Sequence, residues 1–139
     1  MTPISKPHTR DQMPNQRPDQ SMGQEQDSGL GATDLALPDR RSGKVRDVYR
    51  VPGSPDRIAI IATDRISAFD VVMDVGIPGK GAVLTAVSAF WFAKLQHVVP
   101  NHLISIDVDA MPDVPAEARE LLRGRTMRCR RADPLPVEW

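Results

Sequence analysis

Three short stretches of this chain hold residue types that can do chemistry on a phosphorylated ligand. The first is Gly43-Lys44-Val45-Arg46. Glycine lets a backbone approach a ligand closely, and lysine offers a compact positive charge to phosphate oxygens. The spacing is neither GxxxxGK[ST] nor GxGxxG, and taken alone the tetrapeptide also describes the solvated face of an edge strand. The second stretch is Asp64-Arg65-Ile66-Ser67-Ala68-Phe69-Asp70. Its carboxylates, Asp64 and Asp70, can bind Mg²⁺ or an amine, while Arg65 and Ser67 can hold an anion. Asp64 can equally cap a turn and pair with Arg65. The third is Gly79-Lys80-Gly81, a further phosphate contact or a flexible basic turn.

Other reactive side chains point to less. His97 and His102 flank Pro100-Asn101 with no cysteine or carboxylate cluster at ligand spacing, so no zinc site is expected and no metal ligand is assigned. Cys129 sits in a basic strand, which can lower a thiol pKa, but no His/Asn arrangement supports a nucleophile, and a structural cysteine is the expectation. Arg123, Arg125, Arg128, Arg130 and Arg131 lack interleaved aromatics, and the net charge is zero. A solvated strand face, or a surface meant for a partner segment, is expected there rather than a nucleic-acid site. No catalytic residue is assigned from these patterns.

The elements that must position these groups follow from periodicity. Gly43 to Val51 alternates as a strand, with Val45, Asp47, Tyr49 and Val51 on one side and Lys44, Arg46, Val48 and Arg50 on the other. Pro52-Gly53-Ser54-Pro55-Asp56 is turn chemistry. The apolar run Ile58–Ala62 then reads as a strand buried on both faces, within a second strand over about 57–63. A hairpin results that delivers Asp64 to Asp70 into a polar loop. Val71 to Val75 reads as a further short strand. Ala82 to Val98 reads as a helix, because Leu84, Val87, Trp91, Leu95 and Val98 form a continuous apolar stripe that Phe90 widens, and Pro100 ends it. Leu103–Val108 is a strand, Pro115–Leu122 a short helix closed by Gly124, and Arg125–Arg131 a basic strand.

Composition sets the frame. Residues 1–38 are rich in Gln, Pro, Asp, Ser and Gly and cannot bury enough surface to offset their ordering entropy, so a disordered extension is expected. About a hundred residues remain for a small core. Zero net charge argues against nucleic acid or an anionic membrane as partner, and the single cysteine excludes an intramolecular disulfide and fits a reducing cytosol. No apolar run is long enough to span a bilayer, and a cytoplasmic chain is expected. Oligomeric state is not legible.

Taken in order, GKVRDVY, ATDRISAFDVVM, IPGKGAVLTAVSAFWF, VPNHLIS and RTMRCRRADPLPVE closely resemble one family, the phosphoribosylaminoimidazole-succinocarboxamide synthases (SAICAR synthetases) of purine biosynthesis, over about residues 41–138. The resemblance implies an ATP-dependent ligase that joins L-aspartate to the carboxylate of carboxyaminoimidazole ribonucleotide, giving SAICAR, ADP and phosphate. The carboxylate is activated as an acyl phosphate, and Mg²⁺ neutralises phosphate charge. It also implies an α+β fold: antiparallel sheet plus helix, the N-terminal lobe of a kinase-like two-lobe architecture. Gly43, Lys44, Val45 and Arg46 would then bind nucleotide. Asp64, Ser67 and Asp70 would lie in a substrate-side loop, and Lys80 in a second loop near the site. In the family PLPVE is followed by a Cys-Val-Val-Arg-Gly-Tyr type segment and later by Asp-x-Lys-x-Glu-Phe, whereas this sequence reads PLPVE and then Trp139. The expected organisation is thus an extension over 1–38 and an ATP-binding lobe over 39–139, a fragment not expected to catalyse alone. A non-catalytic nucleotide-binding module and an inert pseudogene-type product are the alternatives.

Overall fold

In a computed structural model of the protein, residues 29–133 and 136 are described. Seven strands and two α-helices follow in the order β1 (Arg41–Ser42), β2 (Arg46–Val51), β3 (Ser54–Ala62), β4 (Ser67–Ala68), β5 (Val71–Val72), α1 (Lys80–Leu95), β6 (Leu103–Ser105), α2 (Arg119–Leu122) and β7 (Thr126–Arg130). Short 3₁₀ turns occupy Val108–Ala110 and Ala116–Ala118. The main sheet is antiparallel throughout, in the order β1-β2-β3-β7-β6, and β4-β5 forms a separate hairpin. The expected α+β class is what the chain adopts.

The central hairpin forms where turn chemistry placed it. Val51 pairs with Ser54 across Pro52-Gly53, with Gly53 at φ 67°, and the register from Arg46↔Ala62 to Arg50↔Ile58 is continuous. Alternation then decides the faces. Asp47, Tyr49 and Val51 are buried on one side, as are Ala59 and Ile61 of β3. Leu37, Val108, Met111, Val114 and Leu122 close over Tyr49, Ala59 and Ile61 to make the core.

The opposite face carries Val48, Ile60 and Met127 in one cross-strand row, and Arg50, Ile58, Cys129 and Leu103 in the next. Helix α1 lies across β3 and β7, and none of its residues enters the core just described. The structure corrects the expected orientation of this helix. Its buried positions are Gly81 and Thr85, whereas Val87, Trp91 and Leu95 of the apolar stripe are exposed, together with Val83 and Phe90. Small residues face the sheet because the backbone approach is close: a Cβ on Gly81 would stand 2.2 Å from the Ala62 carbonyl oxygen. Asn101 donates from Nδ2 to the Phe92 carbonyl and accepts from the Leu103 amide, tying the end of α1 to β6.

Other boundaries also differ from expectation. The expected strand over Gly43–Val51 is broken at its start: Arg41–Ser42 pairs back on Asp47 and Val48, so residues 43–45 form the tip of a tight hairpin. The expected extension reached residue 38. Residues 1–28 lie outside the described residues, but Thr33 and Leu37 are buried. That segment is held by hydrogen bonds to Asp47, Tyr49 and Asp64 rather than by apolar periodicity.

Candidate functional site

The tip of the β1–β2 hairpin is built from inside by carbonyl groups. Gly43 N–H donates to the Arg46 carbonyl at 2.7 Å, closing the turn. The Val45 carbonyl accepts from the amide and hydroxyl of Thr63, at 3.1 and 2.9 Å. The Arg65 guanidinium lies beneath, donating from Nε to the Lys44 carbonyl at 3.1 Å and from Nη2 to the Gly43 carbonyl at 2.8 Å and the Arg46 carbonyl at 3.3 Å. Its Nη1 bonds the Gly31 carbonyl, and Nη2 also meets the Asp47 carboxylate at 3.1 Å. Arg65 thus works inside the fold, so the structure does not leave it free to hold an anion.

Asp47 is the buried counter-charge. Its Oδ2 accepts from the Thr33 amide (2.8 Å) and hydroxyl (2.9 Å), and its Oδ1 from the Ser42 hydroxyl (2.8 Å), while Arg40 lies at 3.4 Å. Burial opposes its ionisation, but the hydrogen bonds from Thr33, Ser42 and Arg65 outweigh burial and lower its pKa to about 2. Its position among the apolar side chains of β2 was the available signal: a carboxylate on the inward side of an alternating strand must be paired.

Asp64, at the end of β3, forms a second hub. Oδ1 accepts from the Gly81 amide at 2.8 Å and from Arg125 Nη1 at 2.9 Å, and Oδ2 accepts from the Leu30 amide at 2.8 Å. Burial again opposes the charge, and the two amides and the guanidinium overcome it, so the carboxyl lies below its ordinary range. The partner is Arg125, sixty-one residues on, and not the adjacent Arg65. Nothing local in the sequence marks that pairing.

The remaining predicted residues are more open. Lys44 Nζ pairs with Asp70 Oδ1, both side chains being exposed. Asp70 and Phe69 form the two-residue connection between β4 and β5, with φ of 65° and 49°, positive at both as in a type I′ turn. Ser67 lies in β4, and Lys80 is the first residue of α1, after Gly79 at φ 79°. So Gly43, Lys44, Val45 and Arg46 make one tip with Asp70 reaching it, Asp64 is walled off below, and Ser67 and Lys80 stand on neighbouring elements. A shallow recess lined by Val48, Ile58, Arg131 and Ala132 opens at the far end of the same strands. Cys129 is buried, and burial pushes its thiol up to about 11, the behaviour of a structural cysteine.

Comparison with known proteins places the chain in a family. Residues 39–139 match the family model for SAICAR synthetase. The chain belongs to the SAICAR synthetase family. Among relatives, the phosphoribosylaminoimidazole-succinocarboxamide synthase of Desulfotalea psychrophila is 52% identical over 97 residues, which is 70% of this chain and 32% of that protein. The corresponding synthase of Geobacter sulfurreducens is 50% identical over 108 residues, 76% of this chain and 34% of that protein. The solved SAICAR synthase of Saccharomyces cerevisiae, in complex with SAICAR, superposes with a TM-score of 0.64 at 37% identity, covering 73% of this chain and 36% of that one. The chain therefore spans about a third of the length of these SAICAR synthetases. No helix among its described residues is long and apolar enough to cross a membrane.

Proposed function

We propose that this chain is the nucleotide-binding lobe of an ATP-dependent ligase of purine biosynthesis, one that joins L-aspartate to the carboxylate of carboxyaminoimidazole ribonucleotide in the cytoplasm. Family membership supports the reaction class. The observation that carries the site is the direction of the peptide groups in the 43–46 tip. With the carbonyls of Gly43 and Lys44 turned in to Arg65, planarity of the trans peptide turns the N–H groups of Lys44 and Val45 outward. Neither amide has an acceptor among the described residues. Two outward N–H groups beside the exposed Lys44 ammonium suit phosphate oxygens.

In this reading Gly43, Lys44, Val45 and Arg46 hold the phosphates of ATP, and the recess beside Val48 and Ile58, from adjacent cross-strand rows of one face, receives the base. Asp70 stands in for the phosphates as the anionic partner of Lys44 until nucleotide arrives. Ser67 and Lys80 serve the second substrate from the adjoining elements. The described residues do not fit a Mg²⁺ site: Asp64 and Asp47 spend their carboxylates on amides and guanidinium groups, and no three described His, Cys, Asp or Glu residues cluster around a common point. No step through the metal is assigned to this part of the protein.

That same shortage of free carboxylates favours a second reading, a module that binds nucleotide without turning it over. One experiment tests both. Purified protein is titrated with ATP and then assayed for ADP release with ATP, Mg²⁺, L-aspartate and the carboxylated ribonucleotide. ADP release that requires both aspartate and ribonucleotide establishes the ligase in this chain. ATP binding without turnover leaves the lobe as a binding module that needs further polypeptide for catalysis. Folded protein that fails to bind ATP overturns the assignment of the tip. Lys44→Ala is expected to weaken ATP use more than aspartate use, and unchanged ATP affinity would remove Lys44 from the site.

A further inference from the structure

The most heavily engaged side chain near the tip is Arg65, and nothing in the resemblance gives it a role. We propose that Arg65 is the positioning residue of the 43–46 tip: its guanidinium gathers the carbonyls of Gly31, Gly43, Lys44 and Arg46 and thereby fixes the outward aim of the Lys44 and Val45 amides. The proposal rests, for its functional part, on the nucleotide reading of that tip.

The geometry favours arginine specifically. Its acceptors lie around the plane of one cation, with Nε, Nη1 and Nη2 all in use. A lysine ammonium is a point donor and cannot span carbonyls arranged along a fork. Charge balance is also built in. The Arg65 side chain is only 13% exposed and faces the fully buried Asp47 carboxylate, so the cation is held in place while its remaining donors serve the loop. Without it, the inward carbonyls of Gly43 and Lys44 lose their donor. A short glycine-containing turn then regains freedom to flip those peptides toward water. Flipped peptides would present carbonyl oxygens, not amides, to a phosphate. Arg65 also bonds Gly31, so the same cation ties the segment that precedes β1 to the tip.

The test uses the whole chain and two variants, Arg65→Lys and Arg65→Gln. Amide hydrogen exchange at Gly43, whose N–H closes the turn, is compared with exchange at Tyr49 in the sheet. Affinity is measured for ATP and for adenosine, which lacks the phosphates. The expected result is Gly43 exchange faster by about tenfold or more with Tyr49 unchanged, and an ATP affinity reduced by about tenfold, equivalent to about 1.4 kcal/mol, with adenosine affinity intact. Loss of stability alone would speed both amides or leave both ligands bound as before. Unaltered Gly43 protection in a folded variant overturns the clamp. A loosened tip with full ATP affinity supports the clamp and overturns the nucleotide reading instead. Should both variants fail to fold, the unmodified protein decides: a slowly exchanging Arg65 Nε–H resonance supports the clamp, and a rapidly exchanging one overturns it.

Discussion

On one face of the central sheet Tyr49, Ile61, Met111 and Leu122 are fully enclosed, and the polar groups among them are matched by Thr33, Ser42 and Arg65. On the other face Val48, Ile58 and Ile60 are half-buried, and the helix laid beside them turns Val83, Val87, Phe90, Trp91 and Leu95 to solvent. Both faces are apolar in sequence, yet only one is closed throughout: on the other, Met127 and Cys129 of β7 are buried while Val48, Ile58 and Ile60 remain partly open. A helix apolar on both sides is one that ordinarily sits between two packed layers. The enclosed face therefore holds most of the core and, through Asp47 and Arg65, anchors the tip, while the open face carries the recess and the surfaces left for other molecules.

The contact that joins the two sides is the place to break the molecule. Gly81, in the first turn of α1, lies against Ala62, donates its amide to Asp64, and has no room for a side chain. Gly81→Val should displace the helix and withdraw one of the two amides that hold the buried Asp64 carboxylate, costing about 3 kcal/mol or more, since overpacking and a lost hydrogen bond to a buried charge add. Urea denaturation measures this. A variant with an unchanged midpoint would mean that α1 is not seated on the sheet.

A matched pair of substitutions then tests the contrast directly. Leu122 is 0% exposed in the closed core and Leu95 is 43% exposed on the helix. Leu122→Ala should cost about 2–5 kcal/mol, whereas Leu95→Ala should change stability by about 0.5 kcal/mol or less. An equal loss at both positions would show that the outward stripe is covered in solution.

The closed face should also be the acid-sensitive one. Asp47 has a folded pKa lowered from 3.8 to about 2, so its contribution is fully present above its unfolded value and is lost as pH falls through the folded one. At neutral pH that contribution is about 2 kcal/mol by linkage. Unfolding measured between about pH 6 and pH 2 should show stability declining below about pH 4, and Asp47→Asn should flatten that decline while lowering stability at neutral pH. A parallel pH profile in the variant would assign the acid sensitivity to another carboxylate.

What the sequence made legible divides along the same line. The hairpin, the helix and the basic last strand follow from alternation, turn residues and a 3.6-residue stripe, which are local signals, and each formed close to its expected place. The orientation of α1 was not legible, because its strongest stripe competes with a row of small residues, Gly81, Thr85, Ser88 and Ala89, that permits closer packing on a sheet. Nor were Arg65 and Arg125, whose partners lie far off in sequence: a guanidinium reads the same whether it meets solvent, a phosphate or a buried carboxylate. Lys44 and Gly43 were legible as residue types, but the tip that aims their backbone was hidden, since the signal for a strand and for a tight hairpin entering one differ by a few residues.

The smallest expected effect lies at the β4–β5 turn and bears on what covers the open face. Phe69 is fully exposed yet holds φ at 49°, a region that a bulky side chain rarely adopts and that asparagine tolerates. With no packing to lose, Phe69→Asn should relieve that strain and raise stability slightly, by about 1 kcal/mol or less, seen as a small rise in the unfolding midpoint. The Lys44–Asp70 pair, which is exposed, should persist because the turn keeps its shape. A fall in stability would mean instead that the ring is packed against something in solution, and would move the hairpin from the open side of the comparison to the closed one. Repeating the measurement with ATP present sharpens it: a midpoint that falls only with ligand would place Phe69 against the bound nucleotide.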